Sequence, residues 1–216
     1  APNRRRFSVA HELGHYQIPW HDSPQYQTQA TDIDNPSPSA PIEREANEFA
    51  ACLLMPRADA VVHLATHEPS LKSISAVAQD RYHVSLTAAV LRYVELTDCQ
   101  CALFATQEGR IKWSARSPAF ADVFVRHLGP NLSPSSVAGQ WWDRHRKPTG
   151  PVLLDGENWL NDYRIPDDRP LYEECIRLGD YGLALSLVWP EDEIDWHDLG
   201  DDEDDEHDLL PSERWM

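Results

Sequence analysis

The 216-residue sequence has no long apolar run, few basic residues and few cysteines. No stretch approaches the roughly 20 consecutive apolar residues that a membrane-spanning helix needs. Only 19 Lys and Arg stand against 36 Asp and Glu, which gives a formal net charge of −17. Because a field of that sign repels phosphate, the composition argues against a dedicated binder of nucleic acid or of an anionic membrane surface.

The four cysteines are too scattered to form the disulfide framework of a small secreted protein. Cys99 and Cys101 form a CxC with no second pair nearby, so we expect free thiols there rather than a zinc knuckle. This use of cysteine fits a reducing, cytoplasmic setting. Hydrophobic residues make up 41% of the chain, enough for a folded core.

The acidic residues are concentrated near the C-terminus. Twelve of them fall between residues 191 and 208, where there is no Lys or Arg, and the rest of the chain is only mildly acidic. A segment that repels itself and has little apolar surface to bury cannot fold alone. Residues 191–216 are therefore predicted to form an acidic, disordered tail.

Hydrophobic periodicity divides the rest of the chain. Residues 22–41 are rich in Pro, Ser and Asp and are predicted to form a long loop, whereas residues 71–97 are helical in pattern. Residues 101–115 alternate around a Gly-containing turn, which predicts a β-hairpin. Residues 183–189 are predicted to be another strand, and residues 119–127 a helix.

One segment carries a motif with metal-binding chemistry, the HExxH of His11-Glu12-Leu13-Gly14-His15. On a helix, residues i and i+4 lie on the same face, so both imidazoles can reach one zinc ion. The glutamate beside the first histidine can act as the base for a zinc-bound water. The alternative is a surface helix that merely carries two histidines.

Zinc enzymes of this kind use a third protein ligand, and two residues compete for that place. His21 follows His15 at the spacing of a longer zinc motif, but that motif has a glycine where this chain has Ile18. Glu43 lies in the first turn of a predicted helix, on the edge of its buried stripe. A carboxylate at such a position needs a partner, so Glu43 is preferred, although an acid stabilised by the helix dipole would look the same.

That predicted helix begins at Pro41 and stops before Pro56. Its apolar stripe consists of Ile42, Ala46, Phe49, Ala50, Leu53 and Leu54. Asn47 lies four residues after Glu43 on the same edge of the stripe. Glu45 is two positions further round and is expected to face elsewhere.

Taken together, the two segments resemble a known family. The run RRFSVAHELGH at residues 5–15 and the run EREANEFAACLLMP at residues 43–56 resemble the paired motifs of the ImmA/IrrE metallo-endopeptidases. The resemblance is strong over residues 5–57, moderate to about residue 116 and weak beyond.

The resemblance implies a gluzincin-like zinc peptidase in which His11, His15 and Glu43 are the metal ligands and Glu12 is the general base. Zinc is the expected metal, and these ligands also allow manganese. Family members act in the cytoplasm, and known ones cleave helix-turn-helix repressors, which releases genes for stress responses or mobile-element transfer. The expected partner is therefore such a repressor, as substrate.

A donor that stabilises the oxyanion of the tetrahedral intermediate is also required. His63, His67 and Tyr82 are candidates, but nothing in their spacing selects one of them. The sequence alone leaves all three residues as candidates for this donor.

Residues 75–93 have helix-turn-helix character, with Val84 in the turn and Ser85 as the cap of the second helix. A DNA-reading helix carries several Arg, Lys, Asn or Gln, whereas Arg92 is the only such residue between Ser85 and Leu96. We therefore expect a packing or substrate-docking module rather than a DNA reader.

The predicted fold class is α+β, in four parts. Residues 1–60 form a truncated zincin-like metallopeptidase core, residues 61–98 a helical helix-turn-helix-like module, and residues 99–190 a mixed α/β C-terminal domain, followed by the tail at residues 191–216. Only ten residues precede His11, so the N-terminal strands that hold an extended substrate in such peptidases are expected to be missing. The alternative function is a non-catalytic interaction or sensor module that docks a repressor or a small ligand.

Overall fold

The structure is a computed structural model, which describes residues 2–21, 41–65, 68–121, 123, 125–126, 129, 131–144, 150–178 and 182–195. Within these ranges the protein is α+β, as predicted, with six α-helices and a five-stranded antiparallel sheet. No helix in the same ranges has the length and apolar character that crossing a membrane requires.

The helices account for the N-terminal half and one later segment. They are α1 (Pro2–Gln17), α2 (Pro41–Leu54), α3 (Arg57–Ala60), α4 (Leu71–Val77), α5 (Leu86–Leu96) and α6 (Val137–Arg144). A 3₁₀ turn at Pro19–His21 follows α1, and π-helical turns at Val61–Ala65 and Ala78–Tyr82 follow α3 and α4. The predicted end of α2 before Pro56 is confirmed, since α2 stops at Leu54.

The turn between α4 and α5 forms as the sequence predicted. His83 adopts a left-handed conformation, with φ 53°, which turns the chain out of the π-helical segment. Val84 is buried in this turn. The Ser85 hydroxyl accepts a hydrogen bond of 3.2 Å from the amide of Ala88, so Ser85 caps α5.

The sheet is built entirely from residues after α5. Its strands are β1 (Ala102–Gln107), β2 (Arg110–Arg116), β3 (Val152–Asp155), β4 (Pro170–Leu178) and β5 (Leu183–Pro190), in the order β2-β1-β5-β4-β3. The predicted hairpin is β1–β2, whose turn places Glu108 and Gly109 at φ 51° and 72°. The predicted strand at residues 183–189 is β5, which pairs with β1 and β4.

The sheet is buried on both faces because apolar residues occupy successive positions of β1 and β5. Leu103, Leu185 and Leu187 pack with α3, α4 and α5 in one core. Phe104 and Val188 lie on the other face, in a second core. That second core also contains Phe120, Val123, Trp159 and Leu171.

Two expectations about the middle of the chain are wrong. Of residues 119–127, the structure describes 119–121, 123, 125 and 126, and these form the end of a 3₁₀ turn at Pro118–Phe120 and a bridge from Val125 to Leu160 instead of an α-helix. The reason is tertiary, because the amide of Arg126 donates to the Trp159 carbonyl. In α2, Leu53 is half exposed rather than part of the buried stripe.

Three expectations fall outside the described residues. They are the loop predicted at residues 22–41, apart from Pro41, which begins α2; the tail predicted at residues 191–216, apart from residues 191–195; and His67 as an oxyanion donor. The predicted tail begins too early, because Ile194 is buried and its amide and carbonyl form hydrogen bonds with the Gln100 side chain. The other predicted domain boundaries and the missing N-terminal strands also stay predictions.

Candidate metal centre

Close packing of α1 against α2 forms the candidate metal centre. Gly14 faces α2, where a β-carbon would lie 3.2 Å from both Ala46 Cα and Phe49 Cβ. A residue with a side chain at position 14 would therefore force the two helices apart. Because Gly14 lies between His11 and His15 in sequence, this contact brings the HExxH turn of α1 against the first turn of α2.

The ligands predicted from sequence converge across this contact. His11 Nε2 lies 3.0 Å from His15 Nε2 and 3.2 Å from Glu43 Oε2, and His15 Nε2 lies 3.5 Å from Glu43 Oε1. One ligand atom from each residue lies within 4.8 Å of the other two. His11 and Glu43 are buried and His15 is partly so.

His21, the competing third ligand, lies behind His15 instead of joining this group. Its Nδ1 is 2.9 Å from His15 Nδ1, and its Nε2 is 2.9 Å from Glu45 Oε2. Both ring nitrogens of His21 therefore have partners other than the group of three. Glu45 stays outside the group of three, as expected, and its side chain is 41% exposed. Its carboxylate accepts hydrogen bonds from His21 and, at 2.6 Å, from Trp20 Nε1.

His11 has an outer partner of its own, which the sequence placed on the correct edge of α2 but did not assign. Its Nδ1 lies 2.9 Å from Asn47 Oδ1. An amide oxygen only accepts hydrogen bonds, so Nδ1 carries the proton and Nε2 has a free lone pair. Asn47 therefore selects the tautomer of His11 that presents Nε2 to a metal.

The donor set fits a metal ion. Two imidazole nitrogens and one carboxylate are the three-ligand pattern of catalytic zinc sites. Burial lowers the pKa of His15, and the Glu43 carboxylate opposes part of that shift. A lowered pKa keeps the imidazole neutral at physiological pH, which is the form that binds metal. His11, His15 and Glu43 would hold the ion.

Glu12, the predicted base, is exposed on α1 beside buried His11. A solvent-facing carboxylate one residue from a ligand histidine can reach a water at the metal without ligating the ion itself. The position suits proton transfer rather than metal binding.

Two of the oxyanion candidates contact Asp59. The Tyr82 hydroxyl donates to Asp59 Oδ2 at 2.7 Å, and His63 Nε2 lies 3.8 Å from Asp59 Oδ1. Burial and this hydrogen bond raise the pKa of Tyr82 to about 12. Arg81 pairs with the same carboxylate, so the network joins α3 to the end of the α4 segment.

Arg92 lies inside the protein and not on a surface that could meet DNA. It is 2% exposed, and its Nε donates to the Met55 carbonyl at 3.2 Å. Its Nη1 donates to both carboxylate oxygens of Glu95 at 2.8 Å. The single residue of α5 with a base-reading side chain therefore ties α5 to the end of α2.

A groove of about 1300 Å³ approaches the candidate metal centre at Asn47, although its lining includes none of the three candidate ligands. Phe7 and Ser8 of α1, Asn47 of α2, Leu91 of α5 and Trp113 of β2 are among the residues that line it. Asn47 thus borders the groove and contacts His11.

Comparison with known families matches the N-terminal part of the chain. Residues 1–93 match the model of the IrrE N-terminal-like domain, a peptidase family. This part of the chain is similar to an IrrE N-terminal-like domain. The match confirms the resemblance to ImmA/IrrE peptidases over residues 1–93, which contain α1 to α4 and most of α5.

Other comparisons are more distant. Among curated proteins, none matches the chain. A Mycobacterium tuberculosis transcriptional regulator of known structure is similar over 88% of this chain, with 17% sequence identity and a TM-score of 0.49. The chain spans 65% of that regulator's length.

Proposed function

We propose that this protein is a metal-dependent endopeptidase of the ImmA/IrrE type. The observation that carries the proposal is the convergence of His11, His15 and Glu43 at the α1–α2 contact, within an IrrE N-terminal-like domain. In this proposal these residues hold one zinc ion and Glu12 is the catalytic base. Manganese also accepts nitrogen and carboxylate ligands, so the ion is a question for experiment.

The chemistry follows from the position of each side chain. When bound, zinc lowers the pKa of a coordinated water and polarises a carbonyl. The Glu12 carboxylate takes a proton from the water that attacks the peptide carbonyl, and returns it to the leaving amine as the carbon–nitrogen bond breaks. Asn47 keeps the His11 ring in one orientation while this happens, and burial of His11 and Glu43 excludes competing water.

The substrate we propose is a helix-turn-helix repressor in the cytoplasm, by analogy with known members of the family. The groove beside the centre supports a protein substrate, since it offers apolar and polar contacts next to Asn47. A buried Arg92 supports a substrate-docking role for the α4–α5 module over DNA reading.

Metal content tests the centre. The chain, the Glu12→Gln variant and the Glu43→Ala variant are dialysed and then analysed for zinc and manganese. We expect about one metal ion per chain, retained in Glu12→Gln and weakened in Glu43→Ala, because only the second change removes a ligand. If replacing His11, His15 or Glu43 leaves the metal content unchanged, the proposed metal centre is wrong.

Cleavage tests the chemistry. The metal-loaded chain is incubated with a helix-turn-helix repressor and with a peptide library, and products are identified by mass spectrometry. Glu12→Gln should lose about 10²–10⁴-fold in rate while it retains metal, since glutamine cannot accept the proton. Glu68→Gln, an exposed carboxylate elsewhere, is the matched control. Repressor binding without cleavage in the loaded chain would favour the interaction-module alternative.

A further inference from the structure

A second chain of polar contacts leads away from the candidate metal centre, from His15 through His21 to Glu45. We propose that His21 and Glu45 are positioning residues that fix the His15 ring in the tautomer whose Nε2 faces the metal. The inference rests on the proposed metal centre, because it concerns one of that centre's ligands.

With His21 neutral, the geometry allows one direction of hydrogen bonding along this chain. His15 Nδ1 and His21 Nδ1 are 2.9 Å apart, and His21 Nε2 and Glu45 Oε2 are 2.9 Å apart. A carboxylate accepts hydrogen bonds, so Glu45 requires a proton on His21 Nε2. Neutral His21 then has a bare Nδ1, which accepts a proton from His15 Nδ1, and His15 Nε2 is left with the lone pair that a metal needs.

Local structure holds His21 in this place. After α1 the chain folds back, with the Ile18 amide bonded to the Gly14 carbonyl at 3.0 Å and the His21 amide bonded to the Ile18 carbonyl at 3.0 Å. The 3₁₀ turn at Pro19–His21 brings the His21 ring under His15. The side chain of His21 has no solvent-exposed area, so water does not compete for its ring nitrogens.

Glu45 is held by a second donor. Trp20 Nε1 donates to the same carboxylate oxygen, Oε2, that His21 contacts. A neutral acceptor with one oxygen at that position would satisfy both donors. The charge of Glu45 is therefore less important than its ability to accept, which separates this role from that of an ordinary surface ion pair.

The first test measures zinc affinity in the full chain by competition with a chelator. Glu45→Ala and His21→Phe should weaken zinc binding about 10–100-fold, as loss of an outer partner of a ligand histidine does in other metal proteins. Glu45→Gln should restore affinity close to that of the wild type, because its carbonyl oxygen can accept from both donors. Glu48→Ala, which removes an exposed carboxylate from the same helix, is the matched control and should leave affinity unchanged.

The second test reads the tautomer directly. In a long-range ¹H–¹⁵N correlation spectrum of the metal-free wild type, His15 should show a protonated Nδ1 and a bare Nε2. In Glu45→Ala we expect the spectrum to shift towards a mixture of the two tautomers. A purely structural role would not change the tautomer in a variant whose circular dichroism matches the wild type.

The outcomes separate this inference from the proposed function. If the wild type binds zinc but Glu45→Ala keeps both the affinity and the tautomer, the positioning role is wrong and the metal centre stands. If the wild type binds no metal, the proposed centre is wrong, and the tautomer measurement still decides the link between Glu45 and His15. If His21→Phe abolishes zinc binding as completely as loss of His15 does, His21 is a ligand and the inference is overturned.

Discussion

The buried carboxylate of Glu173 in β4 offers a quantitative test of the fold. Its side chain has no solvent exposure and accepts four hydrogen bonds. The donors are the amides of Val137 and Ala138 at 2.8 and 3.0 Å, Trp159 Nε1 at 2.8 Å and the Ser186 hydroxyl at 2.8 Å. Val137 and Ala138 open α6, where amides have no partner within the helix, so Glu173 joins α6 and β5 to β4.

The perturbation is Glu173→Gln, which conserves shape but replaces one acceptor oxygen with an NH₂ group. The orientation of lower free energy places this NH₂ at the oxygen that accepts from Ser186 and Ala138. The Ser186 hydroxyl can turn and accept from it, but the Ala138 amide is left without an acceptor. One buried donor without a partner costs about 1–3 kcal/mol. Glu173→Leu removes every acceptor and should cost at least about twice as much.

Urea unfolding at pH 7, followed by tryptophan fluorescence and circular dichroism, measures both variants. Hydrogen exchange at Val137 and Ala138 should accelerate in both, because these amides depend on the carboxylate. Exposed positions change stability by no more than about 0.5 kcal/mol. Values within that range for both variants would refute the reasoning.

The same residue gives a pH dependence. Burial raises the pKa of Glu173, and the four hydrogen bonds oppose that shift without cancelling it. A carboxyl group with a higher pKa in the folded state binds more protons when folded, so its contribution to stability is lost as pH rises through the folded value. The wild type should therefore gain stability relative to Glu173→Gln as pH is lowered towards about 4.5, the ordinary value.

Three further changes test other parts of the molecule. Asn47→Ala should weaken zinc binding about 10–100-fold in a chelator competition, because His11 loses the acceptor that selects its tautomer. Arg92→Met should cost about 1–3 kcal/mol in urea unfolding, since a buried backbone carbonyl at the end of α2 loses its donor. Arg81 holds the pKa of Asp59 well below its usual range, so the stability lost in Asp59→Asn should be seen in full at neutral pH, should begin to shrink as pH falls below the ordinary value of about 3.8, and should be lost only as pH falls through the lower folded-state value.

Each of these three predictions has a control variant or a result that would contradict it. Asn47→Asp retains an acceptor for the His11 ring and should bind zinc at least as well as the wild type; equal binding by Asn47→Ala would contradict the role of the amide. Lys72→Met, an exposed cation lost from α4, is the control for Arg92→Met. A difference in stability between wild type and Asp59→Asn that does not shrink as pH falls below about 3.8 would show that the ion pair is not its source.

Spacing within a short stretch of sequence was sufficient to predict several features of the fold and of the candidate site. The HExxH places His11 and His15 one helical turn apart, and this depends on helix geometry alone. Ser85 caps α5 because its side chain meets an amide three residues away. The β1–β2 hairpin likewise follows from alternation around a turn that contains Gly109. In each case the interacting residues are close in sequence, so the pattern contains the information.

Contacts between residues far apart in sequence decided the features that the sequence did not predict. Glu45 reaches His21 across 24 residues, a contact that helical periodicity alone does not predict. Arg92 has a side chain of the type that reads DNA bases, but it lies inside the protein. There its Nε donates a hydrogen bond to the Met55 carbonyl at the end of α2.

The sequence by itself therefore determined the ligand types, their local spacing and the family of the N-terminal domain. The tertiary structure decided which side chains surround those ligands. The physical reason is that the spacing of His11 and His15 is set by the repeat of one helix, and His21 follows in the next local turn. Asn47 and Glu45, by contrast, lie on α2, which only packing brings within hydrogen-bonding distance of His11 and His21.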